Sequence, residues 1–196
     1  MKIETERLIL REFLLDDASS MAAYWRDPRY QRFYEETKDI DAVVGGLVSR
    51  FITAQTSQPR VAWQLAVIER ASGCMTGNCG IRINDPALKE ANIGYELNPD
   101  YWGRGYATEA ARAIVTFGFE ELGLHRVWAE CVADNTSSAR VLEKLGMRCE
   151  AHFREHQWYR ARWWDTLIYA MLDREWHAGS HIRDPSSPVD TTFHSG

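Results

Sequence analysis

The sequence lacks long hydrophobic runs and internal repeats. No segment approaches the ~20 consecutive apolar residues that a membrane-spanning helix requires. The first residues, Met1–Arg11, carry charges where a signal peptide would have an apolar core, so we expect a cytoplasmic protein without a membrane anchor. With 45% hydrophobic and 26% charged residues among 196, the composition excludes a fibrous or wholly disordered chain.

Positive charge and cysteine are also scarce. The 23 basic and 28 acidic residues give a net charge of -5, which argues against a protein that coats nucleic acid or an anionic membrane. A local basic patch around an anionic ligand stays compatible with this balance. The four cysteines form no Cys-x-x-Cys pair, so we expect reduced thiols and no metal site. They are Cys74, Cys79, Cys131 and Cys149.

The hydrophobic pattern changes period several times along the chain. It predicts the order β-α-α-β-β-β-α-β-α-β-β, an α/β domain of the α+β type with a mixed, mostly antiparallel sheet of about seven strands. Helices are expected on both faces. We place this single domain at 1–176 and a polar tail at 177–196. The best-defined segments are the strand Arg7–Arg11, a meander from Val61 to Leu97, the helices Ala107–Leu122 and Thr136–Leu145, and two last strands joined by an aromatic loop.

The segment Leu97–Ala110 is the most informative one. A strand ends, Gly103-Arg104-Gly105 forms a turn, and a long helix begins. Glycines allow successive N–H groups to point at one position, and a helix N-terminus adds orphan donors and a positive dipole, which together suit a pyrophosphate. A tight turn that binds nothing explains these residues equally well. Thr108 stands where a dinucleotide-binding loop has its third glycine, and no Gly-Lys-Ser/Thr follows as in a P-loop.

A second motif opens the next helix. Asn135 and Ser138 are three residues apart and share one face at the helix start, from which they can face the gap beside the preceding strand. Ordinary N-capping by Asp134 or Asn135 is the alternative explanation.

Taken together, the motifs resemble the GNAT superfamily of acetyl-CoA-dependent N-acetyltransferases, most closely its ribosomal-protein N-terminal (RimJ/RimL-like) branch. The resemblance covers nearly all of 1–176. It rests on the first strand Glu4–Arg11, on Ile93-Gly94-Tyr95 running into Tyr101–Ala107, and on Asn135-x-x-Ser138 running into Glu143–Met147.

The resemblance implies acetyl-CoA as cosubstrate, with no metal, held by the first motif and the second helix. The implied cofactor-binding residues are Leu97, Trp102, Gly103, Arg104, Gly105, Tyr106, Ala107, Thr108 and Asn135. Two positions depart from the family pattern. Trp102 stands where Gln or Arg is usual, and Leu142 stands where many members carry a tyrosine acid.

The family reaction is direct attack of an amine on the thioester, without an acyl-enzyme. Glu96, on the cofactor strand, is the candidate base, with a merely solvated or ion-paired carboxylate as the alternative. Ser138 is the candidate hydrogen-bond donor to the leaving thiolate, and Cys131 is a weaker second choice. Asp165 is a further base candidate or a structural partner of Arg or a backbone amide.

The acceptor pocket is expected between the first two helices and the last hairpin. Its candidate wall is aromatic, and core packing is the competing explanation for these side chains. The residues are Trp25, Tyr30, Phe33, Tyr34, Trp158 and Tyr159.

Two functions from different classes therefore remain. One is an N-acetyltransferase that acts on a protein N-terminus or a small amine. The other is a non-catalytic acyl-CoA-binding sensor on the same fold. A nucleotide-binding or redox enzyme lacks its βαβ context. A homodimer is compatible with the sequence, and the family resemblance is its sole support. No nucleic-acid or membrane partner is expected.

Overall fold

An eight-stranded mixed sheet runs through the centre of the computed structural model, which describes residues 1–180. Its strands follow the order β1-β2-β3-β4-β5-β6-β8-β7. All neighbouring strands are antiparallel except β5 and β6. The strands are β1 (Lys2–Glu4), β2 (Leu8–Glu12), β3 (Ala62–Glu69), β4 (Met75–Asp85), β5 (Glu90–Leu97), β6 (Arg126–Val132), β7 (Arg148–Tyr159) and β8 (Arg162–Leu172).

Six helices cover the sheet on both faces, which confirms the predicted fold class. One face packs α1 and α3 over β2 and β3, and the other packs α4 and α5 over the middle of the sheet. The helices are α1 (Asp17–Trp25), α2 (Pro28–Gln31), α3 (Ile40–Gln55), α4 (Tyr106–Glu120), α5 (Thr136–Leu145) and α6 (Asp173–Ser180). None of those among residues 1–180 is long and apolar enough to cross a membrane.

The parallel pair β5 and β6 separates soon after it forms. Its ladder contains only three residue pairs and ends at Asn92 opposite Trp128. Beyond that pair the two strands continue unpaired with each other to Leu97 and Val132. They therefore leave a gap between their carboxyl ends, as the resemblance implies.

Helix α4 holds the loop before it in place by close packing on the sheet. Its apolar stripe contains Ala111, Ile114, Val115 and Phe119, which are buried, while Leu122, the predicted last residue of the helix, follows the observed end at Glu120 and is partly buried. Gly118 permits the close approach, because a Cβ at this position would lie 2.7 Å from Cδ1 of Ile81.

Two regions differ from the sequence-based expectation. Residues Lys2–Glu4 form an additional edge strand against β2, so the sheet has eight strands rather than about seven. The expected aromatic loop is instead part of a long β7–β8 hairpin whose turn is Arg160-Ala161. Both turn residues have φ near +50°, which suits the twist of a two-residue hairpin. Neither is Gly, Asn or Asp, so the usual sequence signal for such a turn is missing.

The C-terminal end of the domain is helical. Helix α6 runs through the proposed boundary at residue 176, and Trp176 stacks on Phe119 with ring centroids 5.9 Å apart. The rest of the predicted tail, 181–196, lies outside the described residues. The division at 176 therefore stays a prediction.

Candidate active site

Glu96 lies near the end of β5, beside the gap. Three donors converge on its Oε2: Nε1 of Trp25 at 3.1 Å, Nδ2 of Asn78 at 3.1 Å and the hydroxyl of Tyr24 at 3.4 Å. Within residues 1–180 no donor makes a hydrogen bond to Oε1, and the buried hydroxyl of Tyr30 lies beside the carboxylate. The carboxylate is thus oriented through one oxygen, while the other is available to accept a proton.

A chain of side-chain hydrogen bonds extends from Glu96 across three strands. Asn78 also donates to the Tyr24 hydroxyl (3.0 Å) and accepts from Nε2 of Gln64 (2.6 Å). Arg82 in turn donates to Oε1 of Gln64. Because Gln64 and Asn78 are almost fully buried, the chain fixes the position of the carboxylate.

Aromatic residues from the first two helices surround the carboxylate. Burial, and then the negative charge of Glu96, raise the pKa of Tyr24 and of Tyr30, so both hydroxyls stay protonated. Tyr30 lies between Trp25 (ring centroids 5.7 Å) and Tyr34 (4.8 Å). Its buried hydroxyl has no hydrogen-bond partner in the described part of the chain.

The remaining predicted wall residues divide into two groups. The Tyr159 hydroxyl donates to the carbonyl of Phe33 (3.1 Å), which joins the hairpin to the segment after α2. Nε of Arg160 donates to the carbonyl of Tyr34 (2.8 Å) at the same junction. Trp158 is 58% exposed and contacts Trp163, and its neighbour Tyr159 faces the other side of the hairpin. The structure thus brings five of the six aromatics together and leaves Trp158 apart.

The predicted cofactor loop presents main-chain donors. Gly103 and Gly105 have φ of 76° and 82°, a backbone conformation that favours glycine. Among the described contacts, the N–H groups from Gly103 to Thr108 have no acceptor. The last three belong to the first turn of α4, where orphan donors and the helix dipole favour an anion. Trp102 closes the loop, since its Nε1 donates to the carbonyl of Leu97 (2.9 Å).

Two arginines lie at this loop. Arg104 is half-exposed, with its guanidinium 4.9 Å from the Tyr101 ring centroid. Arg7, which sequence reasoning missed, is also half-exposed and donates to the Arg104 carbonyl (2.9 Å). It is fixed by Glu109, at 2.8 Å from Nε. No local pattern points to Arg7, because about a hundred residues separate it from the loop.

The side chains of the other predicted cofactor residues are mostly structural. Tyr106 is buried, and its hydroxyl donates to Oε1 of Glu69 (2.6 Å). Leu97 is buried in the core, and Asn135 caps α5 by accepting from the N–H of Ser138 (3.2 Å). What this region offers a ligand is therefore its main chain and two guanidinium groups. That chemistry fits the pyrophosphate of a coenzyme A thioester.

Ser138 faces β5 from the N-terminus of α5. Its Oγ lies 3.0 Å from the hydroxyl of Tyr95, which also donates to the Ser138 carbonyl (3.1 Å). Burial raises the pKa of Tyr95, so its hydroxyl stays protonated. Sequence reasoning missed Tyr95, which follows Gly94 and points to the opposite face of β5 from Glu96.

The cysteines are poorly suited to catalysis or to metal binding. Burial raises the pKa of Cys131 to about 11 and that of Cys79 to about 12. Cys74 and Cys149 are exposed, and all four thiols are free. No cluster of three or more potential metal ligands occurs among residues 1–180.

Asp165 is engaged within the β7–β8 hairpin. It accepts from the N–H of Glu155 (2.8 Å) and is bonded to Nε2 of His152 (2.7 Å). The Glu155 N–H, followed by the His152 hydrogen bond, lowers the pKa of Asp165. These contacts favour a structural role for Asp165, as the partner of a backbone amide, over a role as a base.

The sheet is open, its parallel pair separates, and the loop at that end presents main-chain donors, an arrangement that suits an acyl-CoA-dependent transferase. Residues 7–148 match the family model of the acetyltransferase (GNAT) domain, and the chain belongs to that family. The protein is an acetyl-CoA-dependent N-acetyltransferase.

Individual relatives agree with this assignment. The uncharacterized N-acetyltransferase YnaD of Bacillus subtilis is 33% identical over 90% of this chain and 100% of its own. The crystal structure of a GNAT-family acetyltransferase from Bacillus anthracis has a TM-score of 0.77 at 30% identity, over 89% of this chain and 99% of that one. Ribosomal-protein-S5-alanine acetyltransferase from Vibrio fischeri shares the fold, with a TM-score of 0.76 at 20% identity over 90% and 98% of the two chains.

Proposed function

We propose that the protein transfers acetyl directly from acetyl-CoA to an α-amine or a similar amine, without an acyl-enzyme. The observation that carries this proposal is the Glu96 carboxylate, held through Oε2 by three donors with Oε1 free beside the β5–β6 gap. A sensor domain does not require a carboxylate oriented in this way.

Acetyl-CoA, when bound, supplies a thioester whose acyl carbon accepts a nucleophile. The N–H groups of Gly103–Thr108, with Arg104 and Arg7 beside them, are the residues that would hold its pyrophosphate. The unpaired edge of β5 that ends at Leu97 is available to its pantetheine arm. Backbone N–H groups on that edge are suited to a developing oxyanion.

Glu96 takes a proton from the acceptor ammonium at Oε1 in this mechanism. An α-amine has a pKa of about 8, so its deprotonation at pH 7 costs about 1.4 kcal/mol. For a lysine, with a pKa of about 10.4, the cost is about 4.6 kcal/mol. A carboxylate is a weak base, and it is therefore better matched to α-amines than to lysine side chains.

Ser138 and Tyr95 stabilise the leaving thiolate sulfur by hydrogen bonding. Their hydroxyls form a protonated pair on α5 and β5. Ser138 Oγ donates to the sulfur when the Tyr95 hydroxyl turns its proton from the Ser138 carbonyl to Ser138 Oγ. This pair substitutes for the tyrosine acid that Leu142 replaces. A thiolate with a pKa of about 8.5 needs only such modest assistance.

Direct transfer is supported by the state of the cysteines. Cys131 and Cys79 are buried, and with their raised pKa values both are thiols at neutral pH. An acyl-enzyme requires an activated nucleophile, and neither thiol meets that requirement.

The acceptor is a protein N-terminus or a small amine, in the manner of the ribosomal-protein N-terminal acetyltransferases. The support for that branch is the likeness of the first strand and of both cofactor motifs, together with the shared fold of ribosomal-protein-S5-alanine acetyltransferase. Kinship of fold does not by itself fix the substrate.

The test is an acceptor screen. The protein is incubated with acetyl-CoA, N-terminal peptides, amino acids and polyamines, and CoA release is followed with a thiol reporter. We expect amine-dependent release, with acetylated α-amine in the products. Tight CoA binding with no release for any amine would instead favour the sensor function.

A further inference from the structure

Three polar residues form a row across the sheet next to the Glu96 cluster. Arg82 of β4 lies opposite Asn92 of β5, which lies opposite Trp128 of β6. Asn92 and Glu96 are four residues apart on one strand, so the row and the carboxylate share a face of the sheet. The row lies where β5 and β6 begin to separate.

Arg82 lacks the carboxylate partner that a half-buried guanidinium normally has. Among residues 1–180 the one hydrogen-bond partner of its side chain is Gln64, and no carboxylate is at ion-pair distance. Nearby Arg126, by contrast, pairs with both Glu90 (3.1 Å) and Glu150 (2.9 Å). Burial lowers the pKa of Arg82, and the negative charge of Glu96 opposes this effect. A partly buried guanidinium without an adjacent anion is unfavourable, so an anionic ligand at this position would stabilise it.

The other two members of the row carry unsatisfied polar atoms. Oδ1 of Asn92 and Nε1 of Trp128 are shielded from solvent, and neither has a hydrogen-bond partner in the described part of the chain. Buried polar atoms without partners are rare, because each costs the desolvation of the group. Two such atoms on adjacent residues, beside an unpaired guanidinium, indicate a site for a polar ligand.

Gly94 separates the row from Glu96, and the Arg82 guanidinium lies over it. This residue lies between Asn92 and Glu96 on the same face, and a Cβ there would lie 3.6 Å from Nη1 of Arg82. The guanidinium therefore extends over Gly94. Two strand residues span about 7 Å, so Arg82 and Glu96 can contact adjacent groups of one small molecule.

We propose that Arg82, with the indole N–H of Trp128, binds a carboxylate of the acceptor, so that the preferred substrates carry a carboxylate close to the amine that is acetylated. This inference rests on the proposed function and names its substrate class. Glu96 faces the ammonium and Arg82 the carboxylate, an arrangement that matches a zwitterion. The indole N–H of Trp128 adds a donor, and Oδ1 of Asn92 accepts from an N–H of the same acceptor.

The kinetic test uses matched acceptors. One pair is a peptide amide that begins Ser-Glu and its Ser-Gln counterpart, and the other is L-serine and L-serinamide, with spermidine as a polyamine. We expect kcat/KM to be on the order of tenfold to a hundredfold higher for the carboxylate-bearing member of at least one pair. The pair that shows the preference identifies the source of the carboxylate. Equal use of both members, or a preference for spermidine, would overturn the inference.

Substitutions test which side chains cause the preference for a carboxylate. Arg82→Gln also removes one end of the hydrogen-bond chain that positions Glu96, so both members of a pair should lose rate. The carboxylate-bearing member should lose on the order of tenfold more, which abolishes the preference, and Arg82→Lys should restore part of it. Trp128→Phe keeps an aromatic side chain but removes the indole N–H, and it should weaken the preference. Arg50→Gln, at an exposed position of α3, is the matched charge control and should change nothing. A preference that survives Arg82→Gln contradicts the proposal.

A binding measurement separates this inference from the proposed function. In the presence of CoA, calorimetry compares the acid and neutral products of both pairs on the wild type and on Arg82→Gln. The products are N-acetylserine against N-acetylserinamide, and the N-acetylated Ser-Glu peptide amide against its Ser-Gln counterpart. Tighter binding of the acid to the wild type alone supports the carboxylate site even if no amine is turned over. Absence of any acid preference rejects it, even if acetyl transfer itself is observed.

Discussion

The two ends of the candidate site are built in different ways. The proposed cofactor end is mainly one continuous segment, Trp102–Thr108, whose backbone N–H groups from Gly103 onward have no acceptor among the described contacts. The proposed acceptor end is assembled from side chains on several helices and strands, with Trp25 on α1 and Tyr30 on α2 among them, and Glu96 at its centre. One end depends on backbone conformation and the other on packing between distant residues.

This difference explains what the sequence conveys about function. A loop that needs glycines at fixed positions before a helix leaves a contiguous motif, which permits the family to be recognised. A pocket whose members come from residues 24 to 159 leaves no such motif, so the acceptor has to be inferred from the three-dimensional contacts. Variants at the two ends should therefore fail in different ways.

The largest effect is expected from Glu96→Gln. Loss of the base should lower kcat on the order of a hundredfold at pH 7, while the Kd for acetyl-CoA stays unchanged. Steady-state kinetics and calorimetry measure the two quantities. Glu120→Gln, an exposed carboxylate at the end of α4, serves as the control. Unchanged turnover in Glu96→Gln would remove this residue from the mechanism.

Gly105→Ala tests the cofactor end. An alanine there must adopt the left-handed backbone conformation, which is strained, and its Cβ would contact Nη2 of Arg7 at 3.4 Å. The Kd for acetyl-CoA should rise about tenfold, with kcat at saturation largely retained. Gly123→Ala has a similar φ of 60° with no atom near its Cβ, and it should cost stability without changing the Kd. A similar rise in both variants would contradict the loop's role.

A smaller effect is expected from the hydroxyl pair. Tyr95→Phe and Ser138→Ala should each lower turnover by a few-fold to about tenfold, and the double variant should be little worse, because the two groups act together. Tyr169→Phe is the matched control, since its hydroxyl also contacts α5, at Glu143 (3.1 Å). Fully additive losses would indicate that the pair does not act as a unit.

The smallest effect on turnover is expected from Cys131→Ala. If transfer is direct, turnover stays within about twofold and mass spectrometry finds no acetyl-cysteine after incubation with acetyl-CoA. A large loss of turnover together with a trapped acetyl-cysteine would support an acyl-enzyme instead.

The same buried thiols predict a pH dependence of stability. Because burial raises the pKa of Cys131 to about 11, folding favours the protonated thiol. Its contribution is intact below the unfolded pKa of about 8.5 and is lost as pH rises towards 11. The wild-type Tm should thus fall over that range more steeply than that of Cys131→Ala. Parallel curves would show that the thiol does not contribute.

The elements with regular periodicity could be predicted from the sequence. The stripe of α4, the bounds Arg126–Val132 of β6 and the Asn135 cap of α5 all follow from local patterns. The strand Lys2–Glu4 and the Arg160-Ala161 hairpin could not, because one depends on pairing with β2 and the other on a turn without the usual residues.

The candidate site shows the same limit. Glu96 and the glycine loop could be named from one segment of chain. Arg7, Tyr95 and Arg82 could not, because their relevance depends on contacts with Glu109, Ser138 and Gln64, each formed only on folding.

The pH dependence of Glu96→Gln tests the central claim most directly. About one in ten molecules of an α-amine with a pKa of 8 is neutral at pH 7, against about nine in ten at pH 9. If Glu96 removes the ammonium proton, the deficit of the variant in amine-dependent thiol release should shrink about tenfold over this range. A deficit that stays constant from pH 7 to pH 9 would contradict a base role for Glu96.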